Sequence, residues 1–538
     1  MPAAAVALLM ILPQVVPDVV VVCPAEFREA INPWLDYRLA EGHNIQLVDG
    51  TTTQEEIRRQ IREIAKGGKL RHVVLVGDAD PRMHFDRRVW RRSVPVHHAQ
   101  ARVNVRWGSP LHIGTDNYYA DLDGDTTPEV AVGRLSADTP AELKQIVAKI
   151  LAYERSTDFG PWRRRVNFVA GFGGFGVLAD RAIESSTRYF LTHGIPPDYR
   201  LSMTYANWRS PYCPDPRLFH ATTAWRLNEG AWLWVYVGHG FHLALDRVRV
   251  PDARYHILAA PDVAKLDCRR GPPIAVFLAC YTGAFDAVRD CLAEEMLSQP
   301  NGPVAVLAGS RVTMPYGMAV MAGGLMDECF RHRPKTLGEA VLHAKQSMMT
   351  EPAKDDRWRA MLDTIAGAIS PDAKLLPKER AEHVLLFNLL GDPLLRLHYP
   401  EEITLDVPST ASAGGRLRLT ADCPIGGQGI VELVVRRDRL TFKPPPRKEY
   451  PKEHAALSRF QETYYRANNH RLCAVPLSVS AGRFEAELDV PESARGACHV
   501  RMFVEGQDGF ATGAADVKIQ GGFDYLRLAT QPRTRATK

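Results

Sequence analysis

The sequence predicts an α/β protein: doubly wound, mostly parallel sheets in two lobes, followed by an all-β sandwich. Three observations carry this expectation. Short, continuously apolar, β-branched runs recur between residues 18 and 310, and a run that is apolar throughout is a strand covered on both faces, hence part of a parallel sheet. Amphipathic segments with apolar residues three and four apart lie between them. After residue 400 the texture becomes an alternation of apolar and polar residues broken by Gly, Pro and Ser, the pattern of half-buried antiparallel strands.

Residues 1–17, "MPAAAVALLMILPQVVP", have roughly ten apolar positions before Pro13. That is too short to span a bilayer, and no positive segment precedes it, so it reads as a signal remnant or a buried first segment. A first α/β lobe over 18–164 starts with "DVVVVC" (18–23) and "RHVVLVGD" (71–78) and ends with the helix pattern "PAELKQIVAKILAYERS" (140–156). A second lobe over 165–400 holds "RVNFVAG" (165–171), "WLWVYVG" (232–238), "PIAVFLAC" (273–280) and "PVAVLAGS" (303–310), with a helix pattern at 178–194; each lobe is expected to have its own sheet. The β-sandwich spans 401–525. Its basic, proline-rich run "FKPPPRKEYPKEH" (442–454) reads as an exposed loop, and 526–538 as a disordered tail.

The 538 residues are 45% hydrophobic and 24% charged, which is ordinary globular material for two to four domains. The 67 basic and 62 acidic residues leave a net charge of +5 spread along the chain, so nucleic acid is not an expected partner, and no run beyond the N-terminus approaches a membrane span. Nine widely spaced cysteines include no C-x-x-C pair. Neither a zinc ribbon nor a dense disulfide framework is expected, and at least one thiol is free.

"GFGGFG" (171–176) matches the dinucleotide-binding G-x-G-x-x-G, but the next strand, "YRLSMTY" (199–205), does not end in the acid that would hold a ribose. A flexible glycine loop is the better reading. In "DLDGDTTPE", Asp121, Asp123, Asp125 and Glu129 put carboxylates at positions one, three, five and nine of a tight loop, and a structural Ca²⁺ is expected there.

The chemistry lies at two strand ends. His239, between Gly238 and Gly240, closes one apolar strand, and Cys280 closes the next, with a crossover of roughly 35 residues that suits parallel neighbours. Ligands bind beyond the carboxyl ends of strands in open α/β sheets, so both side chains should share one rim. Gly240 lets the backbone approach a substrate, and its N–H together with that of Cys280 would bind an oxyanion.

"YVGHG" followed by "FLACYTGAF" resembles the His-Gly and Ala-Cys motifs of the gingipain family of cysteine peptidases, in the caspase-like clan. "HVVLVGD", "PEVAVGRL", "LAEEML", "GPVAVLAGS" and "LLGDPLLRL" match in order, so the resemblance covers about Asp18 to Leu397. It implies a caspase-like fold with an immunoglobulin-like domain over 401–525, and a secreted or envelope-bound endopeptidase acting on polypeptides. Cys280 would be the nucleophile and His239 the general acid. The resemblance also implies substrate-binding residues, for which Asp180 and Thr313 are the candidates, Asp180 as an arginine-binding carboxylate. The chain departs from the family at Phe172-Gly173, where an acid would support the histidine. Two other functions fit the same residues: a sortase-like transpeptidase with the same dyad, and a non-catalytic, calcium-binding surface or adhesion protein.

Overall fold

The computed structural model describes residues 16–173, 192, 194–352, 356–370, 372–451, 453–521 and 526–527. Ten strands form one sheet: β1 Val19–Val22, β2 Ile45–Val48, β3 His72–Val76, β4 Ala131–Leu135, β5 Arg165–Ala170, β6 Arg200–Tyr205, β7 Leu233–Val237, β8 Ile274–Leu278, β9 Ala305–Gly309 and β10 Phe387–Leu390. Their order is β2-β1-β3-β4-β10-β9-β8-β7-β5-β6.

Side-chain alternation along β1 shows why the sheet is doubly wound. Val19 and Val21 pack with Ile31 and Trp34 of helix Arg28–Ala40 and with Ile146 and Ile150 of helix Pro140–Glu154. Val20 and Val22 face the other way, onto Ile57 and Ile61 of helix Gln54–Ala65. A strand apolar at every position therefore feeds two cores. The helices begin where capping chemistry allows: Thr53 and Thr139 each accept a hydrogen bond from the backbone N–H three residues on, and Pro140 occupies the first helical position.

One continuous sheet runs through both of the expected lobes, and this differs from the expectation of a separate sheet in each. β10, the last strand before the sandwich, lies between β4 and β9. It runs antiparallel to β9 over four residue pairs and meets β4 in parallel at one, Leu390 with Arg134. The two parallel halves consequently run in opposite directions and join at a narrow seam.

Beyond residue 400 two sheets pack face to face. One contains Gly427–Val435, Arg471–Val479, Gly496–Glu505 and Phe510–Gln520; the other contains Thr404–Asp406, Arg416–Cys423 and Gly482–Asp489. Leu417, Leu419 and Ala421 meet Val431, Leu433, Val500, Met502 and Val504 in the core between them. The proline-rich run is not simply an exposed loop. Arg447 reaches back to donate to the carbonyls of Trp208 and Cys213, both at 3.1 Å, and stacks 3.7 Å over the Phe460 ring. Phe460 belongs to helix His454–Ala467, which sequence alternation did not reveal.

Candidate active site

β7 and β8 are parallel neighbours, paired from Leu233 with Ile274 to Val237 with Leu278. His239 and Cys280 each follow the last paired residue by two positions, so they leave the sheet side by side at the carboxyl-end rim. The ladder continues one step further, with the Gly238 N–H donating to the Leu278 carbonyl at 3.2 Å. Gly240 then passes so close to the other chain that a Cβ there would lie 2.6 Å from the Cys280 carbonyl oxygen and 2.8 Å from the Ala279 Cβ. Only glycine permits that approach.

The half-buried His239 is held by its backbone. Its carbonyl accepts from the Tyr236 hydroxyl at 2.8 Å and from the Asp246 N–H at 3.1 Å. Burial pushes the Tyr236 phenol well above its usual range, so it stays a protonated donor. Cys280 is also half-buried. The Thr313 N–H points at its sulfur at 3.3 Å, and the Thr313 hydroxyl stands 3.6 Å away. Thr313 is 2% exposed, and its side chain faces the Cys280 sulfur. Tyr281, directly after Cys280, has a φ of 58°, a left-handed conformation that a non-glycine residue adopts only when its surroundings impose it.

The loop that carries Thr313 is fixed from below. The Met314 N–H donates to His383 Nε2 at 2.8 Å, while His383 Nδ1 lies 2.7 Å from the Glu379 carbonyl. Full burial pulls His383 down to about 4, so the ring is a neutral acceptor. Beside Cys280 is an open depression of about 650 Å³ lined by His98, His112, Tyr281, Asp286 and Arg311 among others. Burial works to raise the Asp286 carboxyl, but hydrogen bonds from His98 and Arg311 overcome it and hold it well below the carboxylate range.

The remaining candidates separate. Asp180 lies outside the described residues, as do the second half of the glycine motif and most of the 178–194 helix pattern. Asp121, Asp123 and Glu129 bring carboxylate oxygens within 4.8 Å of one another, and Asp125 is not among them. The loop's acids also serve the backbone: Asp121 accepts from Gly124 at 2.6 Å, Asp125 from Thr127 at 2.7 Å and Glu129 from Leu122 at 2.5 Å. Three oxygens of this kind suit a hard cation.

Sequence reasoning missed Tyr236, Asp246, Thr313 as the partner of the sulfur, and His383. Asp246 is 6% exposed, and its Oδ2 has no hydrogen-bond partner among the described residues. No local pattern marks any of the four, because each acts through a contact that only the fold creates.

The profile of peptidase family C25 matches residues 13–398. Lys-gingipain HG66 of Porphyromonas gingivalis is 24% identical over 291 residues, covering 51% of this chain and 14% of the relative. Gingipain R2 of P. gingivalis (strain ATCC BAA-308 / W83) is 22% identical over 420 residues, 74% of this chain and 48% of the relative. The chain thus spans less than half the length of these curated relatives. The crystal structure of the Arg specific cysteine proteinase gingipain R matches with a TM-score of 0.51 at 17% identity, over 94% of this chain and 98% of that one, which establishes a shared fold.

Proposed function

The chain belongs to peptidase family C25, and from that premise we propose that it is a cysteine endopeptidase working through Cys280 and His239. The observation that supports this reading most strongly is the register of β7 and β8, which sets the two side chains at equal distance past the last paired residues of neighbouring strands.

In this reading the Cys280 thiolate attacks the carbonyl carbon of the scissile peptide bond. The electron pair of the carbonyl moves to oxygen, and the amides of Gly240 and Cys280 receive that oxyanion. Collapse expels the amine, which takes a proton from His239, and leaves a thioester on Cys280. Water, deprotonated by His239, then attacks the thioester, releasing the acid and regenerating the Cys280 thiolate beside protonated His239. The Thr313 N–H, 3.3 Å from the sulfur, fixes the direction in which the Cys280 side chain points. Asp180 as a pocket for arginine, the immunoglobulin-like assignment of 401–525 and a calcium ion held by Asp121, Asp123 and Glu129 are parts of the same proposal. So is an extracellular or envelope location, which rests on the family alone, since all nine cysteines are free.

Incubation of the full chain with a peptide library, with and without a thiol alkylator, tests the reading. Cleavage that alkylation abolishes, with the label mapped by mass spectrometry to Cys280 ahead of the eight other thiols, is the expected result. Cleavage unaffected by complete alkylation of Cys280 would refute it.

A further inference from the structure

Where the sandwich docks on the α/β region there is a cavity of about 70 Å³, well above the ~10–15 Å³ that one water needs. Six arginines line it: Arg165, Arg200, Arg226, Arg437, Arg471 and Arg501. Among the described residues the one carboxylate in the lining is Glu229.

Among the described residues the charges do not balance. Glu229 is taken by Arg226, 2.8 Å from its Oε1, with Arg165 3.8 Å from its Oε2. Behind the wall Glu432 is shared by Arg164, Arg501 and Arg471. Arg437 directs its guanidinium to the carbonyls of Ile195, Pro196 and Tyr199, which offer no formal charge. Leaving Arg437 aside, the described residues set two carboxylates, Glu229 and Glu432, against six guanidiniums, those of Arg164, Arg165, Arg200, Arg226, Arg471 and Arg501. Arg200 forms no ion pair with any described residue; burial and then the nearby Arg501 pull it down to about 10. A guanidinium in this position stays charged at neutral pH, so among the described residues positive charge is in excess at this junction. His470 completes the wall with a buried Nε2 that has no partner among the described residues.

We propose that this cavity binds a small tetrahedral oxyanion of the phosphate or sulfate class, with Arg200, Arg165, Arg471 and Arg501 as its ligands. Guanidiniums present paired N–H donors that match two oxygens of such an ion, and several converging on one dianion remove the charge imbalance. A volume of about 70 Å³ suits a free ion and not a phosphorylated chain. Arg165 and Arg200 are the first residues of β5 and β6, so the site lies at the opposite rim from Cys280. Its effect is therefore on the docking of the sandwich, and it stands apart from the peptidase reading.

The test is thermal unfolding of the full chain in an otherwise anion-poor buffer, titrated with inorganic phosphate, with sodium chloride matched for ionic strength as the control. A saturable rise in Tm that chloride does not produce, and that sulfate reproduces, is expected. Arg200→Gln should weaken phosphate binding at least tenfold. Without phosphate it should melt at or above the wild type, because it relieves like-charge repulsion. Arg471→Gln, at a more exposed position, should also weaken the response. The proposal is overturned if the wild type shows no saturable phosphate response. It is equally overturned if Arg200→Gln and Arg471→Gln keep an undiminished one, since the arginines would then form only an ion-pair network around Glu432.

Discussion

At the scale of single residues the site depends on how closely two backbones approach. Gly240→Ala would set a Cβ 2.6 Å from the Cys280 carbonyl oxygen, and overpacking of that kind costs about 1–3 kcal/mol. We expect lower stability in chemical denaturation together with a loss of kcat, since the same movement displaces the two amides proposed to receive the oxyanion. Asp246 offers a subtler test. Its amide holds the His239 carbonyl and its buried Oδ2 lacks a partner among the described residues, so Asp246→Asn keeps the backbone bond and removes the charge. A positioning role predicts a lower kcat/KM with a displaced limb of the pH profile; an unaltered profile would leave Asp246 with a structural role only. His239 and Cys280 were legible in the sequence because a polar side chain closing an apolar strand is out of place there. Thr313, 33 residues from Cys280, and His383, 69 residues beyond Met314, were not legible in these roles, because nothing local signals a contact made across the fold.

At the scale of elements, helix Leu292–Ser298 carries a buried acid. Glu294 accepts from the Ser136 hydroxyl at 2.6 Å and the Cys291 N–H at 2.9 Å, and the same hydroxyl lies 3.5 Å from Asp78. Burial, then Asp138, pushes Asp78 up to about 7, and burial, then Asp78, raises Glu294 well above the carboxylate range. Folded-state values above the unfolded ones mean that the folded form holds the extra protons. Their stabilising contribution is complete below about pH 4 and is lost as pH rises through about 7. Glu294→Gln should therefore raise Tm more at pH 8 than at pH 5, measured by calorimetry. For the acidic loop, a calcium ion held by Asp121, Asp123 and Glu129 predicts a lower melting temperature in chelator, by about 2.7 kcal/mol of stability at a hundredfold excess of ion over Kd. An unchanged melting curve would leave an acidic turn. β1, β3, β5, β7, β8 and β9 were readable from continuous apolar runs, whereas β2 and β4, interrupted by Gln46 and by Gly133 and Arg134, were not. The antiparallel direction of β10 was not, since a strand buried on both faces looks the same in either direction.

At the scale of the whole molecule, Glu432 links the sandwich to the α/β region. It is fully buried; burial opposes its ionisation, but Arg501 and Arg164 more than offset that and hold it at about 2. Its contribution is present above the unfolded value of about 4 and is lost as pH falls through about 2. Removing one partner of such a network strands the others, at a cost of about 3–5 kcal/mol. Glu432→Ala should thus lower Tm sharply and open the junction to limited proteolysis. The alternating texture after residue 400 made the sandwich legible, whereas its docking by Arg164, Arg437 and Arg447 was not, because arginines that are buried and arginines that are solvated look alike in sequence. The central claim is that one cysteine and one histidine, brought together by two neighbouring strands, make this chain a peptidase. Its most direct test is kcat/KM for peptide cleavage by purified wild type, Cys280→Ala and His239→Ala, with folding verified by matching melting curves. The account predicts a loss of at least about a thousandfold in each variant, the scale on which removal of a nucleophile or its base acts. Cleavage by Cys280→Ala at the wild-type rate would contradict it.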